Sequence, residues 1–254
     1  MSVVKNDMPI LEYDSEQKAI LMPNRKRLYS FPKKVAFPFL NDEIYEYAKN
    51  NKCEQIGEFV TITKVFPIYK TMHNGREVCL CQAPLGSSSA VQFLDFLIGY
   101  GVQEIITIGC CGSLVDLPEN AFLIPTEALR DEGTSYHYLP PKRTVILNKI
   151  AINAIIRSLQ KKDINYQLCK TWTTDGFYRE TVDMVNYRKE EGCSVVEMEC
   201  AGLASCAEFR NVIFGQILYT ADTLANVNMH DDRNWGEESA KVALELALDA
   251  VCMI

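Results

Sequence analysis

At 254 residues, 48% apolar and 23% charged, the chain has the length and composition of one soluble α/β domain with a large core, and nothing in it requires a second. A formal net charge of -7 excludes a nucleic-acid binder, which needs a basic face to neutralise phosphates, and no apolar run is long enough to cross a bilayer. The expected partner is a small molecule, with neither nucleic acid nor membrane involved.

The polar start, Met1-Ser-Val-Val-Lys-Asn-Asp7, lacks the pattern of a signal peptide, so a reducing, cytoplasmic location is expected. In that setting most of the 10 cysteines read as small buried hydrophobes. Cys79 and Cys81 alternate on a strand-like run and Cys110 and Cys111 are adjacent, and neither pair has the spacing of a zinc site. With three histidines, no metal is expected. His73 reads as a solvated turn residue, His230 as part of a mobile surface loop, and His137 as a residue able to touch a ligand.

In chain order, residues 1–33, with Pro9, Pro23 and the basic stretch Asn24-Arg-Lys-Arg27, read as an irregular arm before a domain of residues 34–254. A strand over 34–40 leads into a helix with Asn41 at its N-cap. Strands over 60–69 and 77–82 form a hairpin through Asn74-Gly75. A helix opens at Ser87, Ser88 and Ser89 and ends near Gly101. Strands at 105–108 and 121–124, a helix over 146–160 and strands at 166–172 and 193–199 follow. A helix from Ala201, a strand over 212–220 and a helix over 237–252 complete the chain. This alternation predicts a single three-layer α/β domain, a mixed central sheet flanked by helices, with the ligand at the carboxyl ends of strands.

Four stretches carry the chemistry. In Ser194-Val-Val-Glu-Met-Glu-Cys-Ala-Gly202, Glu197 and Glu199 face the same way if the segment is extended. Carboxylates at a buried strand end can accept hydrogen bonds from a vicinal diol such as a ribose. The competing reading is a helix start, where acidic side chains complement the dipole. Ile105-Ile-Thr-Ile-Gly-Cys-Cys-Gly-Ser113 is a β-branched run breaking into a Gly-x-x-Gly turn, only half of a dinucleotide fingerprint. Arg130-Asp-Glu-Gly-Thr-Ser-Tyr-His-Tyr138 and Thr173-Thr-Asp-Gly-Phe-Tyr178 are dense polar and aromatic loops.

In this order, the four stretches resemble the nucleoside phosphorylase and nucleosidase family, which includes uridine phosphorylase, hexameric purine nucleoside phosphorylase and methylthioadenosine nucleosidase. The likeness runs from about Lys34 to the C-terminus. It implies a nucleoside phosphorylase-like fold, cleavage of an N-glycosidic bond without a cofactor (phosphate being co-substrate in a phosphorylase), and a homo-oligomer, dimer or hexamer, whose subunits complete one another's sites.

By that resemblance Glu199 holds the ribose hydroxyls, Met198 packs on the sugar, Glu197 supports Glu199, Phe177 stacks on the base, and Cys110, Cys111 and Gly112 line the site. From composition alone, Met198 and Phe177 suit a core as well or better. Asp222, after the apolar run 212–218, matches the aspartate of purine-cleaving members, and a carboxyl at the end of a buried strand can act as an acid toward N7; it suits a turn cap equally. The glutamine and arginine that read uracil in the uridine enzymes are unmatched in Phe177-Tyr-Arg-Glu-Thr-Val182, where Arg179 is the one candidate substitute, so a purine is favoured.

The phosphorylases' Gly-Asp-Pro-x-Arg loop is replaced by Pro38-Phe-Leu-Asn-Asp-Glu43, and Thr107 stands where a second phosphate arginine would. Losing two guanidinium forks removes the natural clamp for phosphate. Glu43 matches the glutamate that activates water in hydrolytic members, and equally suits a first helical turn. Hydrolysis is expected over phosphorolysis. The alternatives are a phosphate site rebuilt from Ser87, Ser88 and Ser89 at a helix N-terminus or from Lys64 or Arg130, and nucleoside binding or storage without turnover.

Overall fold

The computed structural model describes residues 2–26 and 28–254, so Met1 and Arg27 of the basic stretch lie outside the described residues. In the arm, β1 (Val3–Val4) and β2 (Tyr13–Asp14) pair antiparallel. The last part of the arm belongs to the core: Phe31 is buried, and Tyr29 packs with it against Phe96 and Tyr100.

The next elements are β3 (Lys34–Ala36), α1 (Glu43–Asn50), β4 (Glu54–Val60), β5 (Val65–His73) and β6 (Arg76–Leu80). Asp42 rather than Asn41 takes the N-cap of α1, without a side-chain capping bond. The strand expected over 60–69 is divided, because Thr61 turns the chain by bonding both polar backbone groups of Lys64. β4 escapes a reading by periodicity because it is a polar, largely exposed edge strand. Its Gly57 leaves room for the rings of Tyr29 and Phe31. Asn74 and Gly75 make the expected hairpin turn with φ of 48° and 73°, the left-handed pair such tight turns require. His73 is no solvated turn residue: it lies 2.6 Å from Asp249 and tethers the hairpin to the last helix.

The remaining elements are α2 (Ser87–Gly99), β7 (Glu104–Ser113), β8 (Phe122–Asp131), β9 (Thr144–Ile146), α3 (Lys149–Lys161), β10 (Tyr166–Thr174), α4 (Val182–Glu190), β11 (Val195–Glu197), α5 (Cys200–Phe209), β12 (Ile213–Thr223) and α6 (Glu237–Val251). α3 starts later than expected because Asn148 caps it, accepting from the Ile150 N–H, while Ile146 pairs in β9. α4 was invisible to periodicity: its few apolar residues form no stripe, and Thr181 caps it.

One mixed sheet runs β11-β10-β8-β12-β7-β3-β6-β5-β4, with β9 on β8. Because β11 pairs with β10 and also with β7, the five strands β7, β12, β8, β10 and β11 close on themselves. Closure brings strand ends together: Gly112 of β7 lies beside Val196 of β11, and Ser113 beside Thr223 of β12. The helices cover an apolar core in which Trp172, Phe37, Phe93 and Phe214 are the largest buried side chains. Among the described residues, no helix is long and apolar enough to cross a membrane.

Candidate active site

Where those strand ends meet lies a cavity of about 410 Å³. β7 contributes Gly109 to Gly112, β11 and the bend after it Val196 to Glu199, and β12 Gln216, Ala221 and Asp222. The Gly-x-x-Gly segment is not a turn, since β7 continues through it to Ser113. Its glycines serve close packing instead. A Cβ on Gly109 would stand 3.2 Å from Phe39, and one on Gly112 3.1 Å from Asp222 Oδ1 and 3.0 Å from Leu224. A wider depression at 116–119 and 231–234 holds none of the motif residues.

The two glutamates have different tasks. β11 ends at Glu197, whose Oε1 accepts from the hydroxyls of Thr173 at 2.6 Å and Thr171 at 3.2 Å. Its Oε2 accepts from the N–H groups of Glu199 at 2.8 Å and Cys200 at 2.7 Å, capping α5. Burial nonetheless holds its pKa above the usual carboxylate range. The chain bends at Met198, so the glutamates do not share an extended strand: Glu199 has φ -135° and ψ -25°. Glu199 Oε1 accepts from Gly86 N at 2.6 Å, and Ser87 donates to the Met198 carbonyl at 2.7 Å, locking the motif to the start of α2. Burial first, and then the Glu197 charge, push Glu199 up to about 8. The helix-start reading thus applies to Glu197, and Glu199 is left with one oxygen outside the Gly86 bond, facing a desolvated cavity.

Asp222 is 6% exposed, caps no helix, and holds His230 Nε2 at 2.8 Å from Oδ2. His230 is exposed on its loop, as expected, and this bond ties it to Asp222. Phe177–Arg179 form a 3-10 turn after β10. With three residues per turn, Glu180 returns to the side of Phe177, and both line the cavity while Arg179 points elsewhere and is exposed. Burial first, then the Asp222 charge, raise Glu180 to about 7. Trp235 also lines the cavity, on a segment where residues 233–236 have φ of 46°, 49°, 54° and 71°. Such left-handed backbone is uncommon outside glycine, and nothing in the sequence announces it. Gln216 lines the cavity too; its Oε1 and the hydroxyl of Thr107, its register partner on β7, are buried without partners. A lone glutamine in the apolar run of β12 was the available signal.

Several expected residues stand apart. Glu43 opens α1, half-buried, and Phe39 lines the cavity in its place. The Glu43 Oε2 is buried without a partner, and its charge, after burial and Cys110, helps to raise the Tyr219 hydroxyl on β12. Ser89 is exposed on α2, outside the lining. Lys64 bonds Gln82 and covers the Phe66 ring. Arg130 is buried on Ser135, Leu139 and Pro140 within its own loop, and His137 there is exposed. Cys110 opens to the cavity, its thiol raised to about 11 by burial and by Glu199 and Asp222, so it is a neutral wall at ordinary pH. Cys111 is buried and donates to the Tyr219 carbonyl. Among the described residues, the lining has four carboxylates, Glu180, Glu197, Glu199 and Asp222, and neither lysine nor arginine. No group of three or more His, Cys, Asp or Glu among them is placed to hold a metal.

The family described as phosphorylase superfamily matches residues 36–252. A guanosine phosphorylase of Halorubrum lacusprofundi is 22% identical over 202 residues, 77% of this chain and 84% of its own. Among solved structures, AMP nucleosidase from Bacteroides thetaiotaomicron is 23% identical with a TM-score of 0.71, covering 90% of this chain and 94% of that one. Uridine phosphorylase from Vibrio fischeri is 19% identical with a TM-score of 0.75, covering 91% and 95%. The two structures show the same fold.

Proposed function

The chain belongs to the phosphorylase superfamily, and from that premise we propose that it cleaves the N-glycosidic bond of a nucleoside, a purine nucleoside by preference, with water rather than phosphate as acceptor. The observation that carries the choice of acceptor is the acidic wall: four carboxylates and, among the described residues, no basic side chain. No guanidinium or ammonium is there to clamp a phosphate, and whichever of these carboxyls is ionised repels one. Glu199, when ionised, stabilises the positive charge that develops on the sugar.

In this reading Glu199 accepts from the ribose hydroxyls, Glu197 fixes its position, Met198 packs on the sugar, and Phe177 stacks on the base, with Cys110, Cys111 and Gly112 as wall. Asp222 gives a proton to the departing base. Glu43 is the general base of this reading; it lies outside the cavity lining, behind Phe39, so water has to relay the proton to its buried, unpartnered Oε2. No cofactor enters. The guanosine phosphorylase relative supports a purine and argues for phosphate, which a basic residue of a neighbouring subunit would have to hold. We propose a homo-oligomer, for which exposed Val60, Ile62 and Val65 at one end of the β4–β5 hairpin offer an apolar surface.

The test is a panel of purine and pyrimidine nucleosides scored for free base. Release from purine nucleosides is expected. A melting-temperature rise without release would mark a binding protein, and faster release from uridine would overturn the base assignment.

A further inference from the structure

Beside the cavity is a second, small hollow of about 60 Å³ lined by Glu180, Val182, Val185, Leu224, Asn226, Val227 and His230. The two spaces share Glu180, and His230 lies between the hollow and Asp222. Exposure differs sharply along this line: the Asp222 side chain is 9% exposed and the His230 ring 50%. The charged groups facing the ring are Asp222 from β12 and Glu180 from the turn before α4. The other lining side chains, Val182 and Val185 from α4 and Leu224, Asn226 and Val227, are uncharged, and Asn226 alone of them is polar. Trp235 packs on the opposite flank with ring centroids 6.0 Å apart. A buried acid that donates a proton each turnover must be recharged, and while a base fills the cavity the half-exposed His230 is the link between Asp222 and solvent.

We propose that His230 is the positioning residue that orients Asp222 and resupplies its proton from solvent. This rests on the reading of Asp222 as the acid. In the step, the Asp222 O–H bond breaks as the N–H bond of the leaving base forms. The carboxylate then takes a proton at Oδ2 from Nε2 of imidazolium His230, and the neutral ring recovers one from bulk water. No electrons are exchanged; solvent supplies one proton to the base, and the proton that Glu43 takes from the attacking water returns to solvent, so the cycle closes. Glu180, raised by burial and by Asp222 and lowered by His230, is a second carboxyl that the imidazolium steadies.

The test uses the full chain with four variants, His230→Gln, His230→Ala, Asp222→Asn and the double variant Asp222→Asn with His230→Gln, on a purine nucleoside and on 4-nitrophenyl riboside, whose leaving group needs no proton. His230→Gln is expected to lower kcat on the purine nucleoside about 10-fold, part of the roughly 100- to 10,000-fold a general acid supplies, with KM little changed and the alkaline limb of the pH profile displaced. The nitrophenyl substrate should be nearly unaffected, added imidazole should restore His230→Ala, and Asp222→Asn combined with His230→Gln should be no worse than Asp222→Asn alone. Equal losses on both substrates, an unmoved pH profile or no rescue by imidazole would overturn the proposal even if Asp222→Asn behaves as an acid knockout. Full purine activity in Asp222→Asn would instead remove the acid on which the proposal rests.

Discussion

Replacing Glu199 by Gln separates function from stability, because the structure predicts opposite effects on the two. The amide can still accept from Gly86 N, the 2.6 Å contact that locates the side chain, so the fold should persist. It cannot supply the negative charge that ionised Glu199 brings to the sugar at and above about pH 8, a loss there of about 2 to 4 kcal/mol in transition-state stabilisation, or roughly 30- to 1000-fold in kcat/KM. Stability should move the other way. An acid whose pKa is higher folded than unfolded holds its proton more tightly in the folded state. Its contribution is therefore fully present below the ordinary value of 4.5 and is lost as pH rises towards about 8, the value to which burial and Glu197 push Glu199. That span corresponds to something on the order of 4 kcal/mol. Gln mimics the protonated form and escapes the loss. Melting curves at a series of pH values should show the variant gaining on the parent chain as pH rises, by on the order of 10 °C at the alkaline end for a chain of this size. A constant or shrinking difference would refute the account of Glu199 as a desolvated acid. Near-normal kcat/KM would remove it from the site.

Further outcomes follow from neighbouring residues. Asp222→Asn should slow purine nucleosides by roughly 100- to 10,000-fold and spare an activated leaving group, as paired kinetic assays would show; equal loss on both would make Asp222 structural. Glu43→Gln should abolish turnover with nucleoside still bound by calorimetry, whereas retained turnover would exclude Glu43 as the base. Glu197→Ala strands two threonine hydroxyls and two backbone N–H groups of the α5 start, and should cost about 3 to 5 kcal/mol in denaturant unfolding; a cost below about 1 kcal/mol would contradict its capping role.

The sugar-facing half of the cavity was legible in the sequence because it is contiguous. Glu197, Met198 and Glu199 fall within three residues, and the carboxylates stand out against an apolar strand. The division of labour between them was not legible, since it depends on Thr171, Thr173 and Gly86 arriving from distant elements. The other half escaped for two physical reasons. A 3-10 turn exchanges Arg179 for Glu180 at the wall, and three-residue periodicity cannot be told from a loop in so short a piece. His230 and Trp235 are delivered by an irregular segment whose left-handed backbone falls on Arg233, Asn234 and Trp235, not only on Gly236. The fold followed the same logic. Apolar β7 and β12 were evident, whereas polar β4 on the sheet edge and unstriped α4 became visible only with their neighbours in place.

The central claim, hydrolytic cleavage in an acidic cavity, is tested most directly by identifying the sugar product of a purine nucleoside as phosphate concentration is raised. The account predicts free ribose in step with free base, at a rate phosphate does not increase. Ribose 1-phosphate accumulating in proportion to phosphate would contradict it and place a basic group, from another subunit or elsewhere, in the anion's path.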